Sequence, residues 1–365
     1  MKIAIVGAGI AGLSLAWALR RRGAEVSLFD AGPIPNPLSS SFDEHRITRH
    51  SYGRLSGYAA LMPQAFAVYD ELWADLGATH YLPTNMVFVS RSETDWSASM
   101  AELDRFGITH RVLSADEVGT RLPMLHADGV TSAFEAGGAG MLFANRIVTD
   151  LARWATEHGV EMHPNSRVDD IDAHNGTLKV NTMLYAADLI VVAAGAWLPE
   201  LLPETATRMV PSRQLLLYLQ PPRDLDAAWA RAPVLVDSGG GHGAYILPPR
   251  GGVRLKIGDH IFTRRGQASD DRSATKADLA PVLAAARSIL TRFNDYTILE
   301  RKVCYYTVTD DESFVVEPVG PAAWVMSACS GHGFKLGPLI ATGLAEAILG
   351  NQNPQALPAW AAGLT

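Results

Sequence analysis

Cysteine is nearly absent: the 365-residue chain has two, Cys304 and Cys329. That excludes a disulfide scaffold and a multi-cysteine zinc or iron–sulfur site. So sparse a thiol pair fits a reducing compartment, and a cytoplasmic location is expected. A basic excess is also missing. Lys plus Arg is 31 and Asp plus Glu is 38, a formal net charge of −7, which argues against a sequence-independent nucleic-acid binder. The histidines are scattered without ligand spacing, so no metal site is expected. Repeats and low-complexity segments are lacking. One long apolar run exists, Ile3 to Leu19, but Gly7, Gly9 and Gly12 interrupt it. Its positive charge, Arg20 to Arg22, follows the run, whereas a signal peptide carries charge in front, and early glycines do not suit a membrane span. No membrane association is expected.

What is present is an ordinary globular balance, 48% hydrophobic and 19% charged, with a length that suggests two domains. The apolar run reads as strand, turn and helix. Lys2 to Val6 is a short β-branched run, Gly7-Ala8-Gly9-Ile10-Ala11-Gly12 follows at once, and Leu13, Ala16 and Leu19 recur at helical spacing. Gly23 ends the helix, Val26 to Phe29 forms the next strand, and Asp30 closes it. This is a dinucleotide fingerprint in its required context. Gly7 makes the tight turn, Gly9 lets the backbone approach a pyrophosphate, and Gly12 lets helix pack on strand. Phosphates sit at the helix N-terminus, and the acidic residue bonds ribose hydroxyls. Asp at this position favours an unphosphorylated ribose, as in FAD or NAD.

Further along, helices are expected at Ala59 to Leu76, Asn145 to His158, Lys276 to Phe293 and Leu339 to Leu349. Strands are expected near Met86 to Ser90, Val130 to Phe134, Val160 to Met162, Val168 to Ile171, Leu178 to Val180, Gln214 to Gln220, Tyr245 to Leu247, Val253 to Gly258 and Trp324 to Ala328. Asn175-Gly176 between two strand-like runs reads as a hairpin turn. Leu189 to Ala194, fully apolar and ending in Gly195, reads as a central parallel strand whose end passes the nucleotide. The expected fold is α/β: a Rossmann-type dinucleotide domain with an interleaved α+β substrate domain carrying a mostly antiparallel sheet. Residues 1–80, 142–205 and 300–365 are assigned to the first domain. Residues 81–141 and 206–299 are assigned to the second.

Four stretches carry a family resemblance: Gly7 to Gly12 with Asp30; Arg46-Ile-Thr-Arg49-His-Ser-Tyr52-Gly53; Leu255-Lys256-Ile-Gly258-Asp-His260; and Cys304-Tyr-Tyr306-Thr with Ser330-Gly-His-Gly-Phe-Lys335. In these the chain resembles the FAD-dependent amine oxidases of the monomeric sarcosine oxidase and N-methyltryptophan oxidase type, within the D-amino-acid-oxidase superfamily. The resemblance implies FAD held through Gly7, Gly9, Ile10, Ala11, Gly12, Asp30, Val168, Gly195 and the turn Gly331, His332, Gly333, Phe334 and Lys335. It implies a thioether from Cys304 to the flavin, for which a thiolate is the nucleophile. Arg49 and Lys335 match the residues that clamp a substrate carboxylate, where Arg binds bidentately. Arg46 matches an arginine near the flavin. Lys256 matches the lysine that promotes reaction with oxygen, because a fixed cation stabilises developing superoxide. His260, Tyr245 and Tyr306 match positions lining the substrate cavity. Cys329 has no motif partner and is expected in the core.

One departure stands out. Where the family often has His-His-Gly-Asp-Thr before the first arginine, this chain has Ser41-Phe42-Asp43-Glu44-His45. Phe42 then replaces a histidine at the active site and is assigned to the substrate pocket. This points away from sarcosine and toward a larger or more apolar amine. The expected activity is oxidation of a secondary or N-methylated amino acid with hydrogen peroxide as product. The partners are a small amino-acid substrate and oxygen, and the expected state is a monomer. A D-amino-acid or glycine oxidase, a flavin dehydrogenase using another acceptor, and a non-catalytic flavin-binding subunit are the alternatives. An FAD hydroxylase would need NAD(P)H, and no second nucleotide motif is visible.

Overall fold

The computed structural model describes residues 1–237, 243–259, 261–327 and 329–364. The chain opens with β1 (Lys2–Val6), α1 (Ile10–Arg20) and β2 (Glu25–Phe29). β1 and β2 pair in parallel, Val6 opposite Phe29. The turn between β1 and α1 needs its glycines for steric reasons. Gly7 has φ +106°, and a Cβ there would lie 2.5 Å from the Ala193 carbonyl oxygen. A Cβ on Gly12 would lie 1.9 Å from the Gly7 carbonyl oxygen, so only glycine lets α1 sit this close to β1.

A six-stranded sheet grows around β1. Its order is Val315–Gly320, Ala323–Ser327, Leu189–Val192, β1, β2, Glu161–His163. All neighbours are parallel except the antiparallel edge strand Val315–Gly320. The sheet therefore draws strands from the start, the middle and the end of the chain. One core lies between it and the helices α1, α2 (Ser56–Leu76), Ala144–Glu157 and Gly333–Ile348. On the other face Val168, Leu178 and Val180 of a three-stranded meander pack on Ala4, Val6, Ile190 and Val192. This is a Rossmann-type arrangement, one sheet covered on both faces.

The second large element is an eight-stranded sheet ordered Thr297–Val308, Val210–Gln220, Leu255–Asp259, Ala244–Leu247, Val234–Asp237, Met86–Ser90, Ser132–Ala136, His110–Leu113. One pair, Val234–Asp237 with Met86–Ser90, is parallel and the rest are antiparallel. Its apolar face, with Leu215, Leu217, Leu255, Ile257 and Val303, packs on the helix Lys276–Ile289. A capping box of Thr275 and Asp278 starts that helix. A small sheet of β3 (Arg46–Thr48), Gly140–Leu142 and Tyr81–Pro83 accompanies the two large ones.

Most expected elements are present with shifts of a few residues. Two differ. The strand Thr297–Val308, for which no bounds were expected, contains Cys304 and pairs with Val210–Gln220 along its length. The position 300 chosen as a domain boundary falls within this strand of the large sheet. The helix expected from Leu339 starts at Gly333. Pro338 removes the amide that would bond the Phe334 carbonyl, which normally breaks a helix. Here the Tyr69 hydroxyl bonds that carbonyl instead. The Asn175-Gly176 hairpin joins Val168–Asp172 to Thr177–Val180. Among the described residues no helix is long and apolar enough to cross a membrane.

Candidate active site

A cavity of about 850 Å³ runs from the turn after β1 to the large sheet. At one end Gly7, Gly9, Ile10, Ala11, Asp30, Val168 and Gly195 line it. The Asp30 carboxylate closes the end of β2, accepting from the Ala8 amide at 2.9 Å and from Gly32 and Asn36 at 2.9 and 2.8 Å. Gly12 does not reach the wall; its work is the helix–strand contact described above. The Ser41 hydroxyl accepts from the Ile10 amide at 2.9 Å. Ser39, Ser40 and Ser41 all line the cavity, and sequence reasoning gave them no role. A serine run before a charged segment was the available signal.

The turn into the helix Gly333–Ile348 forms a second stretch of wall, with Gly331, His332, Gly333, Phe334 and Lys335. Gly331 has φ +84°, and a Cβ there would meet the Tyr306 ring at 3.4 Å. First-turn amides of a helix lack intrahelical partners and suit an anion or polar ring edge. Cys329, expected in the core, lines the cavity.

The third wall is one face of the eight-stranded sheet. Lys256 lies opposite Leu247 on one side and Tyr218 on the other. Gly258 lies opposite Tyr245 and Leu216, Cys304 opposite Gln214, and Tyr306 opposite Ser212. Directly paired and alternate residues share a face, so register alone gathers Tyr245, Lys256, Cys304 and Tyr306 on one side. Tyr245, Lys256 and Tyr306 line the cavity. Cys304 is buried against Leu216 and Tyr218 and is not part of the wall. Tyr245 covers Gly258, where a Cβ would collide with its hydroxyl at 2.5 Å. Burial raises the Tyr245 phenol well above its usual range and pushes Tyr306 up to about 12. Both therefore remain neutral.

Lys256 is fully buried. Its ammonium donates to Asp43 Oδ2 at 3.0 Å and to the His45 carbonyl. Burial, then the nearby Arg46, holds its pKa well below the usual lysine range. Asp43, 2% exposed, also pairs with Arg46, accepts from the Tyr218 hydroxyl and lies 3.3 Å from Lys302 Nζ. Asp43 is the residue that sequence reasoning missed. Phe42, assigned to the substrate pocket, is not on the wall. It packs against the helix-side core while Asp43, next in the chain, takes the polar position among the cations. His260 lies outside the described residues.

Arg49 and Lys335 share the cavity wall. Arg49 is held against the rings of Tyr52 and Phe88, each 5.5 Å away. Its Nε has no hydrogen-bond partner among the described residues. Among the described residues Lys335 Nζ makes one long bond, 3.4 Å to the Gly331 carbonyl. Burial, then repulsion from Arg49, lowers Lys335 to about 7, and burial lowers Arg49 as well.

A glycine cradle beside a ribose-ready carboxylate at one end, and cations at the other, fit a flavin dinucleotide with an anionic substrate. The sequence agrees: residues 2–347 match the family of FAD-dependent oxidoreductases, and the chain belongs to that family. It is 27% identical over 358 residues to the monomeric sarcosine oxidase of Bacillus sp. (strain B-0618), covering 91% of this chain and 88% of the relative. It is 27% identical over 368 residues to the N-methyl-L-tryptophan oxidase of Salmonella heidelberg (strain SL476), covering 95% and 94%. The fold is that of L-proline dehydrogenase from P. horikoshii, with TM-score 0.83, 18% identity, and 100% and 96% of the two chains covered. It also matches glycine oxidase from Bacillus cereus ATCC 14579, with TM-score 0.79, 18% identity, and coverage of 98% and 97%.

Proposed function

We propose that the protein is an oxidase of a secondary or N-methylated amino acid, working as a monomer. It releases an imine that hydrolyses in water and reduces oxygen to hydrogen peroxide. The observation that carries this reading is the pair Arg49 and Lys335: two cations on one wall with no ion-pair partner among the described residues. An amino-acid carboxylate satisfies both. Arg49, braced by two rings, binds it bidentately, and Lys335 regains its charge when the anion arrives. The same cations disfavour a second positive charge, so they favour the substrate amine in its neutral form. A lone pair on that nitrogen is what drives hydride off the adjacent carbon. FAD, when bound, accepts the hydride and supplies the redox chemistry that side chains lack. Tyr245 and Tyr306 contribute neutral hydroxyls and exclude water. Lys256 supplies a fixed cation where oxygen takes up electrons.

A thioether from Cys304 to the flavin belongs to the same reading. It is supported by the resemblance and by the position of Cys304 on the sheet face of Lys256 and Tyr306. Acid precipitation is expected to leave yellow flavin on the wild-type pellet and none on Cys304→Ala. Free flavin in the wild-type supernatant would defeat the link.

The activity is tested by peroxide release across sarcosine, N-methyl amino acids, cyclic imino acids and D-amino acids, with Arg49→Met beside the wild type. Loss of the carboxylate clamp is expected to raise KM by about 100-fold, on the ~3 kcal/mol typical of a charge-assisted pair. Turnover of D-amino acids or glycine alone would replace the substrate class. One observation favours a dehydrogenase: Asp43 already compensates Lys256. Flavin that is reduced by substrate but persists on aeration would establish it.

A further inference from the structure

Asp43 has no assigned role, yet it is the most heavily engaged carboxylate near the cavity. Its Oδ2 accepts from Lys256 at 3.0 Å and its side chain pairs with Arg46. Its Oδ1 faces Lys302 at 3.3 Å and accepts from the Tyr218 hydroxyl. Its own backbone is pinned: the Asp43 carbonyl accepts from the Asn145 amide at 2.8 Å, and the Glu44 carbonyl from the Ala144 amide at 3.1 Å. The carboxylate is thus fixed by the N-terminus of the helix Ala144–Glu157, and the cations are arranged around it. Two of those cations, Lys256 and Arg46, line the cavity, whereas Lys302 does not.

We propose that Asp43 is the positioning residue of the oxygen-side cation: it holds Lys256 and Arg46 at the cavity wall and keeps Lys256 protonated where no water reaches it. The proposal rests on the flavin-oxidase reading above. An ammonium has three donors. Asp43 and the His45 carbonyl take two, which leaves one for an occupant of the cavity. Without a counter-charge, a fully buried lysine gives up its proton rather than stay charged. The other charged and titratable groups around Lys256 do not replace Asp43. Arg46 and Lys302 repel it. His45, fully buried, is itself held well below its usual pKa by burial and then by Lys256. Tyr218 and Tyr245 are neutral. Glu44 and Cys304 favour the charge, but Glu44 is engaged by Arg254 at 2.5 Å.

The test uses FAD-loaded protein whose flavin is reduced photochemically without substrate, then mixed with oxygen between pH 6 and 10. In the wild type the reoxidation rate constant falls as pH rises through the pKa of Lys256. In Asp43→Asn that fall moves to lower pH by at least one unit, so the rate at an intermediate pH drops about tenfold. Asp43→Glu restores most of the shift. Lys302→Gln removes a repelling cation and moves the fall the other way. A second readout needs no turnover: the Kd for sulfite binding to the oxidised flavin, an anion addition that a nearby cation favours, weakens about tenfold at the same pH in Asp43→Asn. Superimposable pH profiles of wild type and Asp43→Asn, at equal flavin content, overturn the proposal. If Asp43→Asn does not fold, an unchanged or downward-shifted profile in Lys302→Gln overturns it. Lys256→Met that reoxidises at the wild-type rate defeats the oxygen role of Lys256; the sulfite titration then decides the role of Asp43 by itself.

Discussion

The two ends of the cavity are built on different principles. At the nucleotide end the wall is backbone: a turn of glycines, the start of α1, and one carboxylate, Asp30, bonded to main-chain amides and Asn36. The motif itself lies within the first 41 residues, with Val168 and Gly195 completing the wall, so most of the geometry is local. At the sheet end the wall is charge. Arg46 and Arg49 come from the β3 region, Lys256 and Tyr245 from the middle of the large sheet, Tyr306 from its edge strand and Lys335 from the helix Gly333–Ile348. Sheet register and a buried carboxylate bring them together. The first end depends on space, and at Gly7 and Gly12 an added Cβ meets rigid backbone. The second depends on protonation and ought to respond to pH.

The sharpest way to break this contrast is at Gly12. A Cβ there would overlap the Gly7 carbonyl oxygen at 1.9 Å, and both atoms belong to rigid backbone. Gly12→Ala is expected to separate α1 from β1, cost about 3 kcal/mol or more, and abolish flavin retention. Gly337 is the control. It also faces α1, but its Cβ would meet Ile10 Cγ1 at an ordinary 3.7 Å, so Gly337→Ala should keep both flavin and melting temperature. Absorbance of the purified proteins and a thermal melt decide it. A yellow Gly12→Ala protein with an unchanged melt would show that the backbone end is not sterically limited.

The same contrast explains what was legible in the sequence. The β1–α1–β2 unit was readable because its motif is contiguous and each glycine has a local reason. Lys256, Tyr245 and Tyr306 were assignable by resemblance, but their shared face follows from strand register, which no short motif encodes. Asp43 was hidden because its partners Tyr218, Lys256 and Lys302 are far along the chain. A buried carboxylate shows only when those strands are paired. Phe42 was misplaced for the same reason: one step along an irregular segment separates the core side from the cation side. The twelve-residue strand that carries Cys304 was hard to bound because its first half alternates exposed and half-buried residues.

The pH response of the charged end comes next in size. Lys335 sits at about 7, lowered by burial and then by Arg49. A bound carboxylate stabilises the protonated form, so its pKa rises in the complex. Below about pH 7 the free protein already carries the charge, and affinity is flat. Above it, binding must take up a proton, and Kd rises up to tenfold per pH unit until the pKa of the complex is reached. A simple carboxylate without an amine separates this from ionisation of the substrate nitrogen. Titration from pH 6 to 9, followed by the flavin spectrum, should show the slope in the wild type and a flat line in Lys335→Arg. A flat wild-type line would remove Lys335 from the clamp.

The smallest expected effect sharpens the boundary between the two regions. Phe42 precedes the most engaged carboxylate near the cavity, but its ring packs against the helix-side core. What it offers the charged side is its carbonyl, which accepts from Lys302 Nζ at 2.9 Å, and any residue supplies that. Phe42→Leu should therefore cost about 1 kcal/mol of stability through lost packing and leave KM for the amine unchanged within twofold. Urea denaturation and steady-state kinetics measure the two independently. A change in KM or substrate preference at unchanged stability would put Phe42 back into the pocket. It would mean that the segment 41–45 reorganises when the cavity is filled, with Asp43 then moving relative to Lys256 as well.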